Sequence, residues 1–291
     1  MVNMNRLSTE KRAQVVRCLV EGMSIRAIVR VTGVAKNTVT KLLADLGAAC
    51  SDYQDAALSN LGCKVVEADE IWAYCYSKQK NVPEEHKDTF GYGDVWTWTA
   101  IDAETKLVPS WLVGERTLTD CYTFLADLRD RIKPGHRIQL TTDGLGHYAV
   151  AADAIWRNTI DFAQLIKQYG GGAQDTPEHK YSPAVCTGIQ VRVQAGDPDP
   201  EHISTSYVER QNLTMRMGMR RFTRLTNAFS KKVENLAHAV SPHFMYYNFG
   251  LVHSALTIKV EGGKSIKRTP AMAAGIAQHP WSLTQLCGLL D

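Results

Sequence analysis

The stretch KVVEADEIWAYCY, residues 64–76, marks the point where the chain changes from a helical pattern to a β-strand pattern. It is rich in β-branched and aromatic residues, which favour strands. Two further segments, VWTWTAID at 95–102 and KLVPSWLV at 106–113, follow at short spacing and predict an antiparallel meander. The first strand carries three acidic residues, Glu67, Asp69 and Glu70. Carboxylates in a buried strand are costly unless a cation pairs with them, so the meander predicts a cation-binding site as well as a sheet.

Beyond the meander, helices and strands alternate. An amphipathic helix is expected over 117–131 and another over 147–157, with strands RIQLTTDG at 137–144 and IDFAQLI at 160–166. The last element is a long helical pattern at 203–232. The order β-β-β-α-β-α-β-α predicts an α/β (α+β) fold with a mixed sheet flanked by helices.

The segment 169–203 stands apart from this regular order. It contains three consecutive glycines, four prolines and a possible strand, GIQVRVQ at 188–194. Connections this long are usually lids, inserted hairpins or flexible segments, so we interpret it as an insertion.

Residues 1–50 predict a helical DNA-binding domain, followed by a linker or short helix at 51–62. Ser24 can cap a short helix, Thr32-Gly33 makes a turn, and a second helix is expected from Lys36 to Leu46. This spacing is typical of a helix-turn-helix, in which the start of the second helix faces the major groove. A small helical bundle used for dimerisation is the alternative. The residues expected to face DNA are Lys36, Asn37, Thr38 and Lys41.

Charge is distributed unevenly along the chain. The net charge is +5 over residues 1–50, −9 over 51–203 and +7 over 204–291. Two basic ends around an acidic middle suit a protein that grips a polyanion at both ends and gathers carboxylates for a metal between them. Ordinary variation of surface charge would give similar numbers.

Composition excludes several protein classes. The chain has 291 residues, 44% of them hydrophobic, and no apolar run near the ~20 residues that a membrane helix needs. The first residues lack the layout of a secretory signal. Seven scattered cysteines without a CxxC pair indicate neither a disulfide framework nor a zinc ribbon. We therefore expect a soluble protein of the reducing cytoplasm with no membrane partner.

Three carboxylates are the leading candidates for the chemistry. Asp69 lies in the first strand, Asp143 ends the fourth and Glu209 opens the last helix. If the first strand is central, the end of the fourth lies beside it, so Asp69 and Asp143 can share a metal that Glu209 closes from the side. Strand alternation puts Glu67 on the face of Asp69 and Glu70 on the opposite face, and both remain alternative ligands.

Several motifs together resemble a known family. EADEIW at 67–72, TTDG at 141–144 and YVERQN at 207–212, followed by a basic run, resemble the DDE transposases of insertion sequences, in particular the IS1 family. GVAKNTVTKLL at 33–43 is similar to the helix-turn-helix of that family, and YYNFGLVHSAL at 246–256 to the end of an integrase-type core. The resemblance implies a ribonuclease H-like catalytic core over residues 63–256 and a C-terminal tail over 257–291.

The resemblance also implies a reaction and its participants. Asp69, Asp143 and Glu209 would be the catalytic carboxylates, holding two Mg²⁺ ions that Mn²⁺ can replace. The reaction would free a 3′-hydroxyl at the end of the element and join it to target DNA. The partners would be double-stranded DNA, at terminal inverted repeats and target, and further copies of the chain in a prokaryotic, nucleoid-associated homo-oligomer. The residues expected to contact DNA beside the active site are Arg210, Asn212, Arg216, Arg220, Arg221 and Arg224.

Two other functions fit the same fold. One is a transposase-derived DNA-binding protein that no longer cuts, although Asp69, Asp143 and Glu209 are all present. The other is a structure-specific nuclease, such as a ribonuclease H or a junction resolvase. The helix-turn-helix pattern disfavours the nuclease, because a sequence-independent enzyme has little use for a base-reading helix.

Overall fold

A computed structural model describes residues 6–170, 186–223, 227–260 and 263–291. The fold is mixed α/β. Six strands form one sheet in the order β3-β2-β1-β4-β5-β6, and two more form a separate hairpin, β7-β8. The strands are β1 Val65–Cys75, β2 Gly93–Asp102, β3 Trp111–Gly114, β4 Gln139–Thr142, β5 Asp161–Tyr169, β6 Cys186–Ala195, β7 His253–Lys259 and β8 Ser265–Arg268. The helices are α1 Thr9–Val20, α2 Ile25–Thr32, α3 Lys36–Ala57, α4 Leu118–Arg131, α5 Gly146–Trp156, α6 Ser206–Gly218, α7 Val233–Met245, α8 Pro270–Ala273 and α9 Leu283–Gly288.

The sheet combines an antiparallel meander with a parallel half. β1 pairs antiparallel with β2 and parallel with β4, β4 pairs parallel with β5, and β6 returns antiparallel to β5. The expected strands are confirmed, including the one within the 169–203 insertion. β3 is shorter than the expected 106–113, because the chain before Trp111 contains Pro109, which has no N–H to donate to a strand ladder. The parallel pairing brings the end of β4 beside the middle of β1, because β4 pairs only with the first residues of that strand.

Helices cover both faces of the sheet. On one face, Trp98 of β2 packs with Phe124 of α4 and Tyr148 of α5. On the other face, Ile71 of β1 belongs to a second buried cluster with residues of α6 and α7 such as Phe244. The second of these apolar layers holds α6 against the strands that carry the acids.

The N-terminal helices pack on the rest of the chain. The second predicted helix does not stop at Leu46, and α3 continues to Ala57, so most of the expected linker at 51–62 is helical. Contact with α7 supplies the physical reason. Gly47 lets the two backbones meet, since a Cβ there would lie 2.6 Å from the His238 Cα, and Gln54 Nε2 donates to the carbonyl of Ser241 at 3.2 Å.

The expected long helix at 203–232 is interrupted. α6 ends at Gly218, Met219 is extended with φ −134° and ψ 106°, and a short 3₁₀ turn follows at Arg220–Phe222. Close approach of another loop coincides with the break: a Cβ on Gly22, between α1 and α2, would lie 2.8 Å from the Gly218 carbonyl oxygen. The part of the expected helix at 224–226 lies outside the described residues.

The expected C-terminal tail, 257–291, also packs on the body of the protein. The ring of Trp281 lies 4.9 Å from that of Tyr53 and 5.6 Å from that of Phe249, between ring centroids. The buried guanidinium of Arg12 in α1 pairs with the Asp291 carboxylate at 3.0 Å. Within the described ranges, every helix is too short or too polar to cross a membrane.

Candidate active site

Acidic side chains meet where β1 and β4 run side by side. The parallel register pairs Ala68 with Thr142, so the next residues, Asp69 and Asp143, follow from neighbouring positions. One carboxylate oxygen from each of Asp69, Glu70 and Asp143 lies within 4.8 Å of the others. We call these three residues the acidic cluster. The structure therefore brings Asp69 and Asp143 together as expected, and adds Glu70.

The acidic cluster carries poorly compensated negative charge. Burial, reinforced by the charges of Glu70 and Asp143, raises the pKa of Asp69 from 3.8 to about 7. Burial and the charge of Asp143 also raise the pKa of Glu70. Like charges held close in a partly dry site favour protonation, or a cation that replaces the proton. The donors are all carboxylate oxygens, which suit a hard cation such as Mg²⁺.

Glu70 has partners that the sequence did not reveal. Arg116, just after β3, donates to the Glu70 Oε1 from Nε at 2.7 Å and from Nη2 at 2.6 Å. The hydroxyl of Tyr148 donates to Oε2 at 3.1 Å. Arg116 is itself held over the ring of Trp96, 4.7 Å from its centroid. Glu70 is thus fixed beside Asp69, although strand alternation had assigned it to the opposite face.

Glu67 positions the helix that closes the site. Its side chain is 1% exposed, and its Oε2 accepts hydrogen bonds from the backbone N–H groups of Tyr207 at 2.7 Å and Val208 at 3.0 Å. These N–H groups belong to the first turn of α6, where Thr205 makes no side-chain cap. The first N–H groups of a helix have no partner within the helix, so a carboxylate from β1 satisfies them and complements the helix dipole. Glu67 therefore acts as a cap for α6.

Asn212 joins α6 to the acidic cluster. Its Nδ2 donates to the Asp69 Oδ2 at 2.8 Å, so Asn212, which the sequence analysis assigned to DNA contact, is buried against the acidic cluster. Its Oδ1 is buried and has no hydrogen bond in the part of the chain that the structure describes. A buried amide oxygen without a partner is unusual, because buried polar groups are nearly always hydrogen-bonded.

Glu209 faces the acidic cluster without being part of it. Its Oε1 accepts a hydrogen bond from the Thr205 hydroxyl at 2.7 Å and forms an ion pair with Lys167 of β5. The charge of Glu209 still adds, after the nearer acids, to the raised pKa of Asp69. Glu209 would have to leave its ion pair with Lys167 in order to bind a metal together with Asp69 and Asp143.

The expected DNA-contacting residues are distributed over one basic region and the N-terminal helices. Arg210 and Arg220 are exposed, and Lys36, Asn37 and Thr38 are exposed at the start of α3. Lys41 forms an ion pair with Asp45 at 2.6 Å. Arg216 and Arg221 are partly buried, and Arg224 lies outside the described residues.

Sequence reasoning missed two residues at this site and gave two others a different role. Strand alternation placed Glu70 on the face opposite Asp69, so it was only an alternative ligand. Arg116 and Lys167 were not identified, because they lie far in sequence from the acids that they contact. Glu67 was noted only as an alternative ligand, whereas the structure makes it a helix cap. The run of acids in β1 pointed to Glu67 and Glu70, but nothing in the sequence indicated which residues they contact.

Comparison with known proteins gives no independent guide. A scan against models of protein families found no match, and a search of curated proteins found none either. Function must therefore be argued from the geometry of the site.

Proposed function

We propose that this protein is a metal-dependent DNA strand transferase of the DDE transposase kind. The observation that carries the proposal is the acidic cluster where the end of β4 meets the middle of β1, with Asn212 of α6 bonded to Asp69 and Glu209 near enough to add to the raised pKa of Asp69. Carboxylates collected on neighbouring strands, beside basic side chains that suit phosphates, are the arrangement that phosphoryl transfer by metal ions requires.

The proposed core is ribonuclease H-like, and the proposed N-terminal unit is a helix-turn-helix formed by α2 and α3. Support for the core comes from the chain order of strands and helices and from the central position of β1 in a mixed sheet. Support for the N-terminal unit comes from the left-handed Gly33, with φ 72°, at the turn that follows α2, and from the exposed start of α3.

In the proposed reaction, Asp69, Asp143 and Glu209 hold Mg²⁺ or Mn²⁺, and Glu70 lies where it can join them. Bound metal would lower the pKa of the attacking water or 3′-hydroxyl and stabilise the leaving oxygen. Asn212 keeps the Asp69 carboxylate oriented through its hydrogen bond. Lys167 neutralises Glu209 through their ion pair, and Glu209 would have to leave this pair in order to hold a metal. Basic residues after Glu209 would hold the phosphates of the DNA strands.

The proposed partners follow from this reaction. Double-stranded DNA supplies both the terminal inverted repeats of the element and the target. Joining two ends at one target requires two active sites, so we propose a homo-oligomer on DNA. The proposed setting is the nucleoid of a prokaryotic cytoplasm.

A strand-transfer assay tests the proposal. Purified protein is incubated with plasmid carrying its native flanking DNA in the presence of Mg²⁺, Mn²⁺ or Ca²⁺. We expect 3′-hydroxyl ends and joined products with Mg²⁺ and Mn²⁺, and their loss in Glu209→Gln and Asp143→Asn. Glu201→Gln, which changes an exposed acid on the short turn before α6, is the matched control and should keep full activity.

Each alternative outcome has a distinct meaning. Specific DNA binding without cleavage under any metal would replace the proposal with a DNA-binding protein that no longer cuts. Cleavage that is unaffected by Glu209→Gln but lost in Asp143→Asn would remove Glu209 from the site. Cleavage unaffected by both variants would place the chemistry elsewhere.

A further inference from the structure

A second basic site lies away from the acidic cluster. A cavity of about 440 Å³ opens between the turn joining α1 to α2, the start of α3, the 3₁₀ turn after α6, and α7. Four basic side chains line it, and none of its described lining residues is acidic. The four are Arg26, Lys36, Arg220 and Arg221. We call this space the basic cavity.

Arg221 is the most informative of these residues. Its Nε is buried and makes no hydrogen bond among the described residues. Burial lowers the pKa of Arg221, with only the Cys75 thiol opposing the shift. Arg12 and Arg131, which are also buried or partly buried, differ from Arg221 because each pairs with a carboxylate at 3.0 Å or less. A buried guanidinium without an anion is costly, so Arg221 fits a site whose anion comes from a ligand.

His243 of α7 supplies an independent observation. It lines the basic cavity, is 8% exposed, and its Nε2 has no hydrogen bond to any residue in the described ranges. Burial lowers the pKa of His243 to about 4, so the imidazole is neutral at physiological pH. A neutral imidazole can donate one N–H to an anionic oxygen without requiring a buried proton charge.

The helices around the cavity add positive potential. Ser24 and Ile25, at the first turn of the eight-residue α2, line the cavity, and α3 begins at Lys36 on the same wall. Ala35 gives α3 no side-chain cap. Free N–H groups and the positive end of a helix dipole attract phosphate. Two helix starts and four basic side chains therefore surround one opening.

We propose that the basic cavity binds a backbone phosphate of DNA, held jointly by Arg26 and Lys36 from the N-terminal helices and by Arg220 and Arg221 from the segment after α6. This inference rests on the proposed function for the identity of the polymer. DNA is favoured over a small phosphate compound because the cavity is continuous with the exposed start of α3, where Asn37 and Thr38 follow Lys36. Arg220 lies two residues after the end of α6. One bound phosphate would therefore link α2 and α3 to α6, the helix that carries Glu209.

A methylphosphonate scan tests this directly. A duplex of native flanking DNA carries one neutral methylphosphonate at a time, and its affinity for the full-length protein is measured by fluorescence anisotropy without divalent metal. We expect one position to cost wild type about 3- to 10-fold in affinity, as loss of one phosphate contact should. Arg221→Gln and Lys36→Gln should bind the unmodified duplex more weakly than wild type does. A methylphosphonate at that position should cause no further loss of affinity in either variant.

Salt dependence gives a second readout. Log affinity falls as log salt concentration rises, and each lost phosphate contact makes this negative slope shallower by about 1. We expect this decrease for Arg221→Gln and Lys36→Gln but not for Arg129→Gln, a matched change of an exposed arginine on α4. Lys36 is exposed, so its variant guards against the case in which Arg221→Gln simply unfolds.

Failure of this inference is separable from failure of the proposed function. The scan needs no catalysis, so a positive scan with no strand transfer would keep the phosphate site and reject the enzyme. A flat scan, or a sensitive position that persists in both variants, would overturn the inference even if strand transfer occurs. Thermal stabilisation of wild type by inorganic phosphate, lost in Arg221→Gln and accompanied by a flat scan, would overturn it in favour of a free-phosphate site.

Discussion

Replacing Asp69 by Asn should make the metal-free protein more stable while removing its response to Mg²⁺. The substitution deletes one charge from the acidic cluster and keeps an oxygen that can accept the hydrogen bond from Asn212. The opposite sign would be expected at an ordinary structural acid, whose charged form is stabilised by its neighbours. Stabilisation by an amide is therefore a specific signature of a site built for a cation.

The magnitude follows from the pKa of Asp69, which the fold raises from 3.8 to about 7 through burial and the neighbouring charges. Between these values the folded protein binds a proton that the unfolded chain has released, so stability falls as pH rises through this window. At 1.36 kcal/mol per pKa unit the full effect is about 4 kcal/mol. Solvent in the cleft screens part of it, so we expect Asp69→Asn to gain about 1–3 kcal/mol at about pH 8. Near pH 4 the two proteins should converge, because Asp69 is protonated when folded.

Urea unfolding in EDTA, and again with Mg²⁺, measures both effects. Mg²⁺ should stabilise wild type at about pH 8 by mass action and leave Asp69→Asn unchanged. Asp153→Asn, a change of an exposed acid on α5, is the matched control and should follow wild type under every condition. The reasoning is refuted if Asp69→Asn in EDTA is no more stable than wild type, or if Mg²⁺ stabilises the two proteins equally.

Three further substitutions test one support of the site and two contacts elsewhere in the fold, each by urea unfolding with an unchanged m-value. Glu67→Ala should lower the free energy of unfolding by about 2 kcal/mol, because two N–H groups at the start of α6 lose their buried acceptor. An unaltered urea midpoint would show that this cap is dispensable. Gly47→Ala should lower the free energy of unfolding by about 1–3 kcal/mol, because the new Cβ would lie 2.6 Å from the His238 Cα. Unchanged stability would mean that α3 and α7 can move apart without cost. Asn248→Leu should lower the free energy of unfolding by about 2 kcal/mol, because the fully buried Asn248 accepts from the N–H of Val108 at 3.0 Å and donates to its carbonyl at 2.9 Å. Equal stability of variant and wild type would contradict this.

Local pattern was a good guide to the strands and helices. β-forming residues identified β1, alternation identified β2, the strands at β4 and β5 were also expected, and helical periodicity identified α4 and α5. The errors came where distant contacts override local preference. α3 continues past Leu46 because α7 packs along it, and the expected helix at 203–232 breaks after Gly218 where the α1–α2 loop approaches.

The amino-acid sequence by itself determined which residues could bind a cation and on which elements they lie. Asp143 was expected at the end of a strand beside the one that carries Asp69, and the parallel pairing of β1 with β4 brings the two residues together. What only the tertiary structure decided is how each acid is used. Glu70 enters the acidic cluster through Arg116, 46 residues away, and Glu67 becomes the cap of a helix 140 residues away. The basic cavity likewise exists only because the N-terminal helices fold against the segment after α6. Periodicity reports the environment of neighbouring residues, whereas a pKa, a cap or a cavity depends on groups that the fold brings together from far along the chain.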